Sequence, residues 1–200
     1  MKAGVRALGI AESYRDGRDR STFAGAVVRA DRVLDGVAYR SCTVGGTDAT
    51  DAVLGLVDDL GRPDVQYVLL GAVAPAWYNL LDISRVHETA DRPVIAVTFE
   101  ASDGLEDGLR EAFSGAELER RLEDYRALPE RRALSVNDDT VYVRHVGCTV
   151  DEAAAVVRSF TPAGGRPEPI RVAKQVARAG DSYVDAGDSR DPDDAGDSGD

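Results

Sequence analysis

Short apolar runs alternate with amphipathic stretches along this chain. Residues 5–10 read as a short buried strand. Residues 22–29 and 32–43, separated by Ala30-Asp31, predict an antiparallel hairpin, and Gly36 inside the second arm predicts a bulge. Ala49, Ala52, Val53, Leu56, Val57 and Leu60 share one helical face, so residues 49–60 form a helix that Gly61-Arg62-Pro63 stops. An apolar strand over 65–70 is followed by a Gly/Ala/Pro loop through Ala76. A helix over 80–89 with Asn79 as N-cap and a β-branched strand over 93–99 come next. Two helices follow, over 105–113 and 116–127, the second behind a capping box of Ser114 and Glu117. Strands over 133–136 and 140–146 flank an Asn137-Asp138-Asp139 turn. Thr149 and Glu152 cap a helix ending near Phe160, and a last helix spans 170–178.

The order is β-β-β-α-β-α-β with further helices. Three antiparallel strands leading into βαβ crossovers predict an α/β fold, a mixed sheet with helices on both faces. Residues 1–180 form a single domain in this reading. Residues 181–200 hold eight Asp, one Arg and almost no apolar side chains. Such a segment buries too little surface to offset the entropy of ordering, so a disordered acidic tail is expected.

Composition narrows the picture. Two hundred residues, 43% of them hydrophobic, suffice for one sizeable core. The formal net charge is −12. Lys2 and Lys174 are the only lysines, and the other 22 of the 24 basic residues are arginine. That balance is the pattern of a halophilic proteome, where acidity serves solubility and does not exclude nucleic acid as a partner. Cys42 and Cys148 lack the spacing of a zinc set and are too few for a disulfide framework, so both read as buried thiols. No stretch approaches the roughly 18 apolar residues that span a membrane, and the first ten residues lack a signal peptide's apolar region. A cytoplasmic location is expected. Gly45-Gly46 is not a phosphate loop, since no Lys-Ser or Lys-Thr follows, and no nucleophilic serine elbow or Cys/His pair is present.

Four runs carry a resemblance: Ala7-Leu8-Gly9-Ile10-Ala11-Glu12-Ser13, Gly46-Thr47-Asp48-Ala49-Thr50-Asp51, Ala76-Trp77-Tyr78-Asn79-Leu80-Leu81-Asp82-Ile83 and Arg92-Pro93-Val94-Ile95-Ala96-Val97. Together they resemble an archaeal family long of unknown function and now labelled endonuclease dU, which is similar to endonuclease V. The resemblance covers about residues 1–178. It implies a ribonuclease H-like fold and metal-dependent hydrolysis of phosphodiester bonds in DNA at or near deaminated bases such as uracil, a DNA-repair activity. RNA is the alternative substrate, and monomer and dimer both stay open. The implied cofactor is Mg²⁺ or Mn²⁺, held by carboxylates from separate elements that activate water and stabilise the leaving oxygen.

Mapped residue by residue, the implied metal ligands are Glu12, Asp48 and Asp51, with Asp82 as a further catalytic candidate. The family often has two Asp where this chain has Ala11-Glu12. At the end of the strand over 65–70 it commonly has Asp-Gly, where this chain has Gly71-Ala72. The alternative is therefore a catalytically impaired nucleic-acid-binding module of the same fold. A scaffold or small-ligand protein is a third class. Each candidate also has a plainer role: Glu12 as a loop residue, Asp48 as a helix N-cap, Asp51 as a solvated residue favouring the helix dipole, Asp82 as part of a cap with Asn79. His87 and Glu100 are lesser candidates. Trp77 and Tyr78 are placed to stack on an extruded base or to pack under their loop. Tyr14 and Arg15, with Arg18 and Arg20, suit phosphate contact or a surface hairpin.

Overall fold

The computed structural model describes residues 1–102 and 104–188. Its elements are β1 (Arg6–Ser13), β2 (Arg20–Arg29), β3 (Leu34–Thr43), α1 (Ala49–Leu60), β4 (Val65–Leu70), α2 (Pro75–Tyr78), α3 (Ile83–Ala90), β5 (Val94–Thr98), α4 (Glu106–Ala112), α5 (Gly115–Ala127), β6 (Arg132–Val136), β7 (Asp139–Val146), α6 (Val150–Ser159) and α7 (Glu168–Asp188). Seven strands form one mixed sheet in the order β3-β2-β1-β4-β5-β7-β6. β1, β4 and β5 run parallel, and the remaining pairings are antiparallel. The expected bulge is present: the β2–β3 register shifts where Val27 faces Gly36 and Val28 faces Leu34.

Period-2 alternation in the central strands sends side chains to two cores. Leu8, Ile10, Phe23 and Val27 meet Val53 and Leu56 of α1 and Ile83 and Val86 of α3 on one face. Ala7, Ala26, Val28, Leu69 and Ile95 meet Val156 and Val157 of α6 and Ile170 and Ala173 of α7 on the other. Helices thus cover both faces. Among the described residues, no helix is long and apolar enough to cross a membrane.

α7 lies unusually close to the sheet. A Cβ on Gly9 would sit 2.1 Å from the Pro169 carbonyl carbon, so β1 accepts the start of α7 only at glycine. The helix also runs further than residues 170–178. It continues to Asp188 because Asp181 and Asp185 are not a solvated tail but partners of Arg15 and Arg18. The rest of the expected acidic tail, 189–200, lies outside the described residues.

Two caps differ from expectation. α3 starts at Ile83, and Asp82 is its N-cap, accepting from the Arg85 backbone N–H at 2.9 Å. Asn79 is instead fully buried, because its amide has a tertiary task described below. Ser114 precedes α5 without a side-chain cap hydrogen bond, whereas Thr149 caps α6 by accepting from Glu152 N–H at 3.2 Å.

Candidate functional site

A cleft of about 430 Å³ opens where β1, β4 and β5 end. Carboxyl ends of parallel strands are where open α/β sheets bind ligands, because the connecting loops diverge there. Ala11 and Glu12 of β1, Gly71 just beyond β4, and Thr98 to Glu100 at the end of β5 form its floor. Arg131, Arg144, Arg166 and Lys174 line its walls. Among the described residues, four cations therefore face two carboxylates, Glu12 and Glu100, in a chain whose net charge is −12.

None of these cations has a salt bridge among the described residues. Each is held by carbonyls or aromatic faces. Arg131 donates to the carbonyls of Glu100 (2.5 Å) and Ser102 (2.7 Å), with its guanidinium 3.8 Å from the Tyr142 ring centroid. Arg144 donates to the Pro129 carbonyl and stands 5.5 Å from the Tyr125 ring. Arg166 stacks 4.3 Å from the Phe99 ring. Lys174, reaching over from α7, donates to the Glu12 carbonyl. Burial lowers the pKa of both Arg144 and Lys174, and the Glu12 charge counters part of the effect on Lys174. Elsewhere arginines such as Arg40, Arg62 and Arg126 spend their charge on Asp59, Asp64 and Glu106.

The four carboxylates expected to work together are dispersed. Of Glu12, Asp48, Asp51 and Asp82, only Glu12 lines the cleft. Its Oε2 accepts from Ser21 Oγ on the neighbouring strand. Asp48 precedes α1 without capping it. Both of its oxygens turn back to β3, accepting from Thr43 N–H at 2.9 and 3.0 Å and from Thr43 Oγ1 at 2.9 Å. Asn79 completes this latch, donating to Asp48 Oδ1 and to the Thr43 carbonyl and accepting from Ala49 N–H. Desolvation acts to raise the Asp48 carboxyl, but the bonds from Thr43 and Asn79 outweigh it and hold the pKa below the ordinary value. Asp51 is exposed and pairs with Arg85 at 2.7 Å, joining α1 to α3. Asp82 caps α3. His87 is also engaged, its Nδ1 2.7 Å from the Arg92 carbonyl.

Position 71 has no room for a ligand. A Cβ there would lie 2.9 Å from Cγ2 of Ile170 and 3.3 Å from the Ile10 carbonyl oxygen. α7 thus occupies the space that a carboxylate at the end of β4 would need. Among the described residues, no three His, Cys, Asp or Glu side chains are grouped to hold a metal ion. The donor set does not fit the Mg²⁺ or Mn²⁺ site expected from Glu12, Asp48 and Asp51.

Beyond the cleft wall at Ala74 the backbone enters α2, one turn with left-handed dihedrals. Ala76, Trp77 and Tyr78 have φ of 46°, 56° and 61°. Each such residue costs roughly 1–2 kcal/mol outside glycine, so three in succession need external support. Arg121 of α5, only 2% exposed, supplies it. It donates to the carbonyls of Tyr78 (2.7 Å), Gly46 (3.3 Å) and Gly45, and lies 4.0 Å from the Phe113 ring. Phe113 in turn stands 5.3 Å from Trp77 and 6.1 Å from Tyr78. The result holds Trp77 outward, 51% exposed. Tyr78 is half-buried, its hydroxyl packed against Gly108.

Tyr14 is exposed on the β1–β2 loop. Arg15 beside it is committed to α7, with Asp181 at 2.6 Å, Asp185, and Ser182 Oγ at 2.8 Å. The cations that reach the cleft are others, and residue-level reading missed all four. One signal was present: Lys174 is one of two lysines in a chain that otherwise uses arginine.

The family model described as endonuclease dU matches residues 3–180. A UPF0215 protein from Pyrobaculum calidifontis is 32% identical over 179 residues, spanning 88% of this chain and 97% of that protein. Among solved structures, a protein of unknown function from Archaeoglobus fulgidus superposes with a TM-score of 0.76 at 27% identity, covering 88% of this chain and 97% of its own. Endonuclease V of Ciona intestinalis, in complex with a 24mer DNA containing an inosine followed by a ribo-adenosine, superposes with a TM-score of 0.60 at 15% identity, covering 90% and 87%. That likeness shows the ribonuclease H-like fold.

Proposed function

We propose that this chain, which belongs to the endonuclease dU family, is an endonuclease acting on the phosphodiester backbone of DNA at or near deaminated bases such as uracil. The observation that carries the reading is the cationic cleft at the ends of β1, β4 and β5, in a nuclease family and on a fold shared with a DNA-bound endonuclease V. Charge complementarity draws a backbone phosphate to such a cleft, and arginines suit the planar, bidentate contact that phosphate oxygens accept.

The chain's own groups divide the work as follows. Arg131, Arg144, Arg166 and Lys174 bind the phosphate and offset its charge. Fixed donors of this kind stabilise the extra negative charge that develops on phosphoryl oxygens during attack. Glu12 is the carboxylate on the cleft floor fixed by another side chain, Ser21 Oγ, and is the group to take a proton from attacking water, while the P–O bond to the leaving sugar oxygen breaks and that oxygen takes a proton from solvent. Trp77 presents its exposed ring for stacking on a base displaced from the duplex. No step is assigned to a metal ion, because the donors do not fit one.

A second reading is favoured by Gly71 beneath Ile170: binding of damaged DNA without cleavage. Incubation of the purified protein with a labelled uracil-containing duplex, across salt concentrations and with or without Mg²⁺, separates the two. Nicking near the uracil that Glu12→Gln abolishes supports the endonuclease. Tight binding without nicking in every condition refutes it in favour of the binding module.

A further inference from the structure

Among the described residues, four cations, and only one carboxylate of the expected set, line the cleft. In a metal-dependent nuclease the divalent ion neutralises a phosphate oxygen. Here the third-ligand position is filled by Ile170, and one helical turn further along α7 the Lys174 ammonium donates to the backbone carbonyl of Glu12, whose side chain lines the same cleft. Arg131, Arg144 and Arg166 surround the same space. The nitrogen atoms are positioned by carbonyls and aromatic faces rather than consumed by carboxylates. Many arginines elsewhere, such as Arg15, Arg40, Arg62, Arg110 and Arg126, have acidic partners instead.

We infer that the cleft is a metal-independent seat for a backbone phosphate, in which the Lys174 ammonium and the guanidinium groups around it together supply the positive charge that a divalent cation would bring. The ligand class is a nucleic-acid phosphate, gripped by an ammonium and guanidinium groups. The inference rests on the reading that the chain acts on DNA, but it concerns binding and charge, not strand scission. It also accounts for a lysine at 174 in an arginine-rich chain. A compact ammonium presents a point charge from a half-buried position beside the β1 carbonyl.

The test is fluorescence anisotropy with a labelled uracil-containing oligonucleotide, measured in EDTA and again in Mg²⁺. The expected result is a Kd equal within about twofold in the two conditions, with inorganic phosphate competing. Lys174→Met should weaken binding about tenfold or more and flatten the salt dependence by about one counterion. Arg166→Gln, an exposed residue stacked on Phe99, should weaken it in the same direction, which keeps the test valid if Lys174→Met fails to fold. Loss of binding in EDTA would overturn the inference, as would wild-type affinity in both variants with unchanged circular dichroism. EDTA-resistant binding without nicking would uphold the seat and remove the endonuclease reading. Nicking together with binding that requires Mg²⁺ would do the reverse.

Discussion

Gly71→Ala tests whether α7 has closed the third-ligand position. Gly71 is not in the left-handed region, so alanine is conformationally accessible, and on entropy alone would stabilise by about 0.4–1 kcal/mol. The new Cβ, however, would lie 2.9 Å from Ile170 Cγ2 and 3.3 Å from the Ile10 carbonyl oxygen. Ile170 is 2% exposed and seated in the second core, so it cannot swing away. Overpacking of this kind costs about 1–3 kcal/mol, leaving a net destabilisation of roughly 1–2 kcal/mol. For a chain of this size that lowers Tm by about 2–8 °C. Ile170→Leu removes the offending branch methyl at nearly constant volume, for a cost below about 1.5 kcal/mol. In the double variant the clash is absent, so the two losses should not add. The coupling should be at least about 0.5 kcal/mol in the favourable direction. Thermal denaturation of the four proteins followed by circular dichroism measures it. A Gly71→Ala protein as stable as wild type, or strictly additive losses, would refute the packing argument.

Other consequences are open to measurement. Trp77→Ala should weaken oligonucleotide binding by about 1–3 kcal/mol, or about 5- to 150-fold, with little change in Tm because the ring is half exposed; unchanged affinity would remove it from the interface. Arg121→Leu deprives three carbonyls of their donor and should destabilise the protein by about 3–5 kcal/mol, with a shift in the fluorescence of the single tryptophan as the left-handed turn relaxes. The depressed Asp48 pKa contributes stability that is fully present above the unfolded value and lost as pH falls through the folded value. Urea midpoints of wild type should therefore drop across the acidic range by more than those of Asp48→Asn. Burial, reinforced by the charges of Asp48 and Glu12, pushes the Cys42 thiol up to about 12, so iodoacetamide at pH 8 should spare it in the native protein and modify it in urea.

Much of the fold was legible because hydrophobic period and turn chemistry are local signals. The helix at Ala49–Leu60 and the strand at Val65–Leu70 match their predicted bounds, since Gly61 and Pro63 punctuate the interval between them. The site was legible only in part, because proximity there is tertiary. Glu12 could be placed at the end of β1 from sequence. That Asp48 would be saturated by Thr43 and Asn79, or that Asp51 would be paired with Arg85, depends on β3, α1 and α3 meeting in space. The four cations come from β6's leading edge, β7, the loop before α7 and α7 itself, with no common spacing. The left-handed turn at Ala76 to Tyr78 contradicts local propensity and exists because Arg121, some forty residues away, holds it. The helical residues past 180 were hidden for a similar reason: their acidity looks like disorder until Arg15 and Arg18 are placed opposite.

The most direct test of the cationic seat is a crystal structure with a short uracil-containing oligonucleotide grown in EDTA. A backbone phosphate should lie between Lys174 Nζ and the guanidinium groups of Arg144 and Arg166, with N···O separations of about 2.7–3.2 Å. DNA lying instead across the Asp51–Arg85 face of α1 and α3, or bound only when a divalent ion bridges Glu12 and Asp48, would contradict it.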